Sequence, residues 1–219
     1  MLSGLIIFMT SPPAYSVNFM RASALLLPGL LLTHLLSSCH TNYAELPTFS
    51  AERKLLQVVV EMPAGTNHEQ QYNPATHAFE RHHEAGTEEV IEFLPVPGNM
   101  GFVPGTRVAT GIGSAEAPLT ALVLAETQPE GTILEVTPIA LLTLDVKGAL
   151  QTVLLAVPAR PAQRTLPDAT DWATLNQHYP GVRPSLSLWF QHRYRPAETR
   201  IVGWKNEKEA EKYVRSRMQ

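Results

Sequence analysis

Chemistry in this chain has to come from a small number of ligating and ionisable side chains. Four histidines and a glutamate crowd one stretch, His68, His77, His82, His83 and Glu84. Imidazoles favour Zn²⁺ or Ni²⁺ over Mg²⁺. No spacing here matches a zinc pattern, and His82-His83 falls in a polar loop, so the patch reads as solvated side chains. Arg193, Arg195 and Arg200 carry charge for an anion, but their setting reads as open surface. Gly111-x-Gly113 is too short to count as a phosphate loop. Trp189 and Phe190, with Leu186, read as core and not as a ligand platform. Aspartate is scarce: the whole chain holds only Asp145, Asp168 and Asp171, and the last two sit at the expected start of a helix. Chemistry that needs several hard oxygen ligands has little to draw on.

The first fifty residues carry signals of address, not of fold. Met1 and Met20 are both candidate starts. From Met20 the order is Arg21, an apolar run from Ala22 to Leu36, then Leu36-Ser37-Ser38-Cys39. That tetrad resembles the bacterial lipobox, whose cysteine becomes the lipid-modified first residue. The apolar run is shorter than the roughly 20 residues a spanning helix needs, and Pro28-Gly29 interrupts it. Residues 1–38 are therefore expected to be a leader and Cys39 a lipidation site. Several acyl chains on one terminus would hold the protein to a membrane, on the periplasmic side of the cell envelope. Residues 39–50 are expected to be a polar tether, and 51–219 the folded domain. A single cysteine excludes an internal disulfide. A net charge of −3 offers no electrostatic case for nucleic acid or acidic membranes.

Within the domain, Lys54 to Met62 is a β-branched run closed by Pro63, which predicts a strand. Short strands are expected at 70–73, 77–81 and 89–94, then a turn-rich segment at 94–105. Longer strands follow at 119–124, 132–138, 139–144 and 151–157. Helices are expected at 168–178, 185–194 and 206–218, with a last strand at 201–204. The third helix has Glu207 and Glu209 early and Arg215 and Arg217 late, aligned with its macrodipole. A strand-rich front followed by helices implies a small β-barrel with helices packed outside.

Scattered motifs sharpen this. They are Val58-Val59-Val60-Glu61-Met62-Pro63-Ala64-Gly65-Thr66-Asn67-His68, Phe93-Leu94-Pro95-Val96-Pro97-Gly98-Asn99, Leu155-Ala156-Val157-Pro158, Trp189-Phe190 and Val202-Gly203-Trp204. In this order they resemble the family I soluble inorganic pyrophosphatases. The resemblance implies a mainly β fold, a five-stranded OB-like closed barrel with flanking helices. It also implies hydrolysis of pyrophosphate to two phosphates with several Mg²⁺ ions.

The ligands that this chemistry implies are mostly replaced. Glu61 matches the family's first-strand glutamate. A Lys-x-Glu pair falls on Glu69 and Gln71, a phosphate-binding arginine near Glu89, and two tyrosines on Val96 and Met100. Three metal-binding aspartates fall on Ala115, Ala117 and Thr120. A later Asp…Asp-x-Lys trio falls on Val146, Gln151 and Val153, and a Tyr-Lys pair on Arg193 and Tyr194. A shift of register cannot restore five aspartates when Asp145 alone lies nearby. Glu61, Glu116 and Asp145 remain as the carboxylates for one weakly held cation. The expectation is a barrel without its reaction: a lipid-anchored binding module, with pyrophosphate or phosphate as partner by resemblance only. The alternative is an active diphosphatase with displaced ligands, cytoplasmic as its family is.

Overall fold

The computed structural model describes residues 41–84, 86–110, 115–193 and 199–219. Cys39, the leader, the Gly111-x-Gly113 loop, Tyr194 and Arg195 lie outside them. Strand β1 (Leu56–Met62) is buried nearly throughout, Glu61 being the partly exposed exception. Such a continuous apolar run suits a strand covered on both faces. It pairs antiparallel with β6 (Asn99–Ala109) on one side and β8 (Ile133–Val146) on the other. β6 pairs with β7 (Glu116–Val123), β7 runs parallel to β9 (Ala149–Pro158), and β9 returns antiparallel to β8. The ring β1-β6-β7-β9-β8 closes on itself, and β10 (Thr199–Asn206) adds to the far end of β8. This is the expected five-stranded barrel. Closure pairs each of the five barrel strands on both sides.

Side chains alternate along the strands and feed two clusters. Val153, Leu155 and Val157 of β9 pack with Leu175, Leu186, Trp189 and Phe190, from α1 (Trp172–His178) and α2 (Val182–His192). Leu154 and Ala156, the residues between them, pack with Ala210 and Val214 of α3 (Glu207–Ser216). Asp171 caps α1, accepting from the Thr174 amide while the Thr174 hydroxyl returns to the Asp171 amide. The helix thus starts after Asp171 and not at Asp168. A side chain that satisfies orphan amides decides where a helix begins.

Other expectations need correction. The turn-rich reading of 94–105 is half right, because β6 begins at Asn99. Gly101 makes this possible: a Cβ there would lie 1.8 Å from the Val59 carbonyl oxygen. Asn99, fully buried, accepts from the amides of Ala64 (3.2 Å) and Gln128 (2.8 Å) and donates to the Glu126 carbonyl (2.8 Å). Within the expected strand at 89–94 there is only a single bridge from Val90 to His68, after a short hairpin of β4 (His83–Glu84) and β5 (Thr87–Glu88). The expected pair at 132–138 and 139–144 is the one strand β8, with an irregularity between Pro138 and Ala140. Proline cannot donate to the ladder, and a bulge absorbs that loss.

Part of the expected tether is packed onto the barrel. Thr48 is buried and donates to the Pro104 carbonyl (2.9 Å), while the Gln57 amide reaches the Pro47 carbonyl (2.6 Å). Gly105, at φ +63°, leaves room for this, since a Cβ there would meet the Thr48 hydroxyl at 2.7 Å. Tyr43 rests edge-on against Tyr72, ring centroids 5.2 Å apart. Tyr72 belongs to β2 (Gln70–Asn73), which forms a hairpin with β3 (Ala78–Arg81).

Candidate functional site

A cavity of ≈ 250 Å³ opens where β1, β2 and α2 meet one end of the barrel. Its walls are built from positions singled out in the sequence. Ala117 and Thr120, on β7, line it where the resemblance places aspartates. Val146, Gln151 and Val153 line it from β8 and β9, where an Asp…Asp-x-Lys trio is implied. Glu69, Gln71 and Met100 complete that wall, in place of lysine, glutamate and tyrosine. One cavity thus gathers positions from β2, β6, β7, β8 and β9, while Val96, Glu89 and Ala115, also singled out in the sequence, do not line it.

Glu61 lines the cavity, with one carboxylate oxygen accepting from the Tyr72 amide at 2.8 Å. Burial pushes its pKa up to about 7, against the lowering effect of that amide and with a further rise from the charge of Glu69. The other two expected cation ligands are elsewhere. Glu116 is half exposed on β7 and lies 3.8 Å from the Arg107 guanidinium. Asp145 sits at the β8–β9 turn, where one oxygen pairs with Arg200 and the other accepts from the Gly148 amide at 2.8 Å. These contacts, the Arg200 hydrogen bond foremost, hold its carboxyl below the usual range. The triad Glu61, Glu116 and Asp145 is therefore not assembled.

The sequence reading missed the strongest polar feature of the cavity. Arg193, expected on open surface, is buried at the end of α2 and pairs with Glu69 at 2.6 Å. Each side chain is 8% exposed. The guanidinium also lies 5.0 Å from the Trp189 ring centroid and 3.4 Å from the Met100 sulfur. The two partners are 124 residues apart in sequence, and neither sits in a patterned segment that would link them. Arg200 is the exposed arginine of the pair that the structure describes.

The histidine patch resolves into local partnerships on the β2–β5 hairpins. His68 contacts Glu88 at 2.6 Å, and Arg81 reaches the same carboxylate. His82 contacts Glu89 at 2.6 Å, and His77 meets the Tyr72 hydroxyl at 3.0 Å. Glu89, where the resemblance implies a phosphate-binding arginine, is occupied by this histidine. Among the described residues no three His, Cys, Asp or Glu side chains gather as a metal site.

Mg²⁺ asks for oxygen ligands in near-octahedral array, most of them carboxylates, waters and substrate oxygens. The cavity wall offers Glu61 and Glu69, and Glu69 is already neutralised by Arg193. Alanine, threonine, valine, glutamine and methionine hold the remaining positions. The donor set does not fit a cluster of Mg²⁺ ions.

The family model described as inorganic pyrophosphatase matches residues 58–219. Among solved structures, the inorganic pyrophosphatase from Thermus thermophilus is similar at 23% identity and TM-score 0.66, covering 80% of this chain and 96% of that one. The enzyme from Helicobacter pylori is similar at 21% identity and TM-score 0.64, covering 79% and 96%. That from Schistosoma japonicum reaches TM-score 0.70 at 17% identity, covering 81% and 69%. No curated protein sequence matches.

Proposed function

The chain belongs to the inorganic pyrophosphatase family, and from that premise we propose that it keeps the barrel of a pyrophosphate hydrolase without the Mg²⁺-dependent reaction, as a binding module. One observation carries this. The cavity that collects the family's ligand positions is walled at those positions by Ala117, Thr120, Val146, Gln151 and Val153. Without clustered metal, nothing lowers the pKa of an attacking water or neutralises the leaving phosphate. Nor does a basic cradle compensate, because Glu69 stands where a lysine is implied and engages Arg193, the guanidinium that lines the cavity.

Phosphate release from purified protein with Mg²⁺ and pyrophosphate tests the reading, with Glu61→Ala as the control for contaminating enzyme. The same low rate in both proteins is expected. Turnover above about 1 s⁻¹, low among ordinary enzymes, that disappears in Glu61→Ala would return the chain to the active diphosphatases.

The module is further proposed to ride on a lipid anchor at Cys39, in the cell envelope, because Leu36-Ser37-Ser38-Cys39 ends an apolar leader. Cys39→Ser is expected to move the protein from the membrane fraction to the soluble one. Mass spectrometry that finds Met20 to Ser38 still attached to the mature protein contradicts the anchor.

A further inference from the structure

Three charged side chains line the cavity among the described residues: Glu61, Glu69 and Arg193. Arg193 and Glu69 neutralise each other at 2.6 Å, so the wall is left with one carboxylate to answer. Of its two oxygens, one accepts from the Tyr72 amide, and the other has no hydrogen bond or ion pair among the described residues. A second observation lies on the same wall. Thr199 is 3% exposed and its hydroxyl has no hydrogen-bond partner among the described residues. A buried hydroxyl left unpaired is costly, and such groups mark places where something else supplies the bond. Gln71 and Gln151, which also line the cavity, make no side-chain hydrogen bond in the described structure. The rest of the lining is largely apolar, with Met100, Val146 and Val153 facing the same space.

We propose that this cavity binds a small primary ammonium compound, its –NH₃⁺ head against Glu61 and its short aliphatic body against Met100, Val146 and Val153. The inference rests on the reading above that the cavity does not process pyrophosphate. An ammonium has three N–H donors and wants one charged acceptor with neutral oxygens around it. Glu61, the Thr199 hydroxyl and the glutamine amide oxygens are that kind of set. A divalent cation needs more carboxylates than Glu61 alone. An anion finds its one candidate guanidinium already engaged by Glu69. At pH 8, above the Glu61 pKa of about 7, a neutral ligand would leave that carboxylate desolvated and unpaired, which is expensive. The volume, ≈ 250 Å³, lies below the roughly 300–1,000 Å³ of pockets for drug-sized molecules, so the body is a few carbons long.

The test is calorimetry on the full-length protein at pH 8 with three probes of one shape: n-butylammonium, n-butanol and n-butyrate. Saturable binding of butylammonium is expected, about tenfold tighter than either other probe. Glu61→Gln is expected to remove that preference, and Thr199→Val to weaken butylammonium binding about threefold. Butylammonium binding no tighter than butanol, or an undiminished preference in Glu61→Gln, overturns the proposal. The probe series on the unaltered protein decides the matter even where a variant does not fold. Phosphate release from Mg²⁺ and pyrophosphate is measured alongside. Turnover would remove the reading on which this inference rests. Absence of turnover together with absence of butylammonium binding overturns the ammonium site alone.

Discussion

Two regions of this molecule share the same strands and have been shaped by different demands. In the barrel wall, β1, β7 and β9 carry Val58-Val59-Val60, Leu119 to Val123 and Val153 to Val157, nearly all fully buried. In the cavity a few residues away, the same strands present Glu61, Ala117 and Gln151, where the family's chemistry implies a set of ligands. The frame holds because every residue in it is fixed by packing against several others. A cavity side chain outside the packed core is constrained mainly by what it binds. Fold and reaction thus reside in separable residues, even on one strand.

The comparison breaks first if the wall tolerates charge. Leu122 and Val59 are 0% exposed, and Leu122→Asp or Val59→Asp would bury a carboxylate without a partner. The cost is several kcal/mol, comparable with the roughly 5–15 kcal/mol that holds a domain together. Thermal melting is expected to show both variants largely unfolded. Unchanged melting would remove these residues from the wall.

A smaller effect separates the two kinds of charge in the cavity. Glu69→Ala removes the buried carboxylate that Arg193 pairs with at 2.6 Å, and should cost about 3–5 kcal/mol. The double change Glu69→Leu with Arg193→Met should recover most of that loss, because an apolar pair carries no desolvation penalty. Urea denaturation of the three variants measures it. A loss under about 1 kcal/mol in the single variant, the range of exposed pairs, would mean that the pair is solvated.

Glu61 should behave in the opposite sense. Its pKa is about 7 in the folded protein and near the ordinary glutamate value of 4.5 when unfolded. Between those values the unfolded chain has lost its proton while the folded one keeps it. Stability is therefore full below about 4.5, falls as pH rises, and by about pH 7 is lower by up to about 3 kcal/mol. Glu61→Gln removes this slope and should melt higher than the unaltered protein at pH 8. A melting temperature at pH 8 that is unchanged or lower in Glu61→Gln argues against a desolvated carboxylate.

What could be read from the sequence follows the same division. The barrel was legible because β-branched runs such as Val58-Val59-Val60 need no distant partner to declare a strand. The sequence also pointed to Ala117, Thr120, Val146, Gln151 and Val153, which line one space, and to Ala115, which does not line it. Local side-chain bonds hid element boundaries: Asp171, not Asp168, caps the first helix, and Gly101 lets a strand run through what looked like a turn. The Glu69–Arg193 pair was beyond reach, because burial of a charge depends on an opposite charge 124 residues away. Glu116 and Asp145 looked available as ligands for a similar reason, as their proximity to Arg107 and Arg200 exists only in three dimensions.

The claim that the frame survives without its metal chemistry is tested most directly by calorimetric titration with Mg²⁺, alone and with pyrophosphate. One unneutralised carboxylate is a poor exchange for the hydration shell that Mg²⁺ gives up reluctantly. Binding no tighter than about millimolar is expected in both titrations, worth about 4 kcal/mol at most. Micromolar Mg²⁺ binding, stronger again with pyrophosphate, would contradict the account and show that the cavity still assembles a metal cluster.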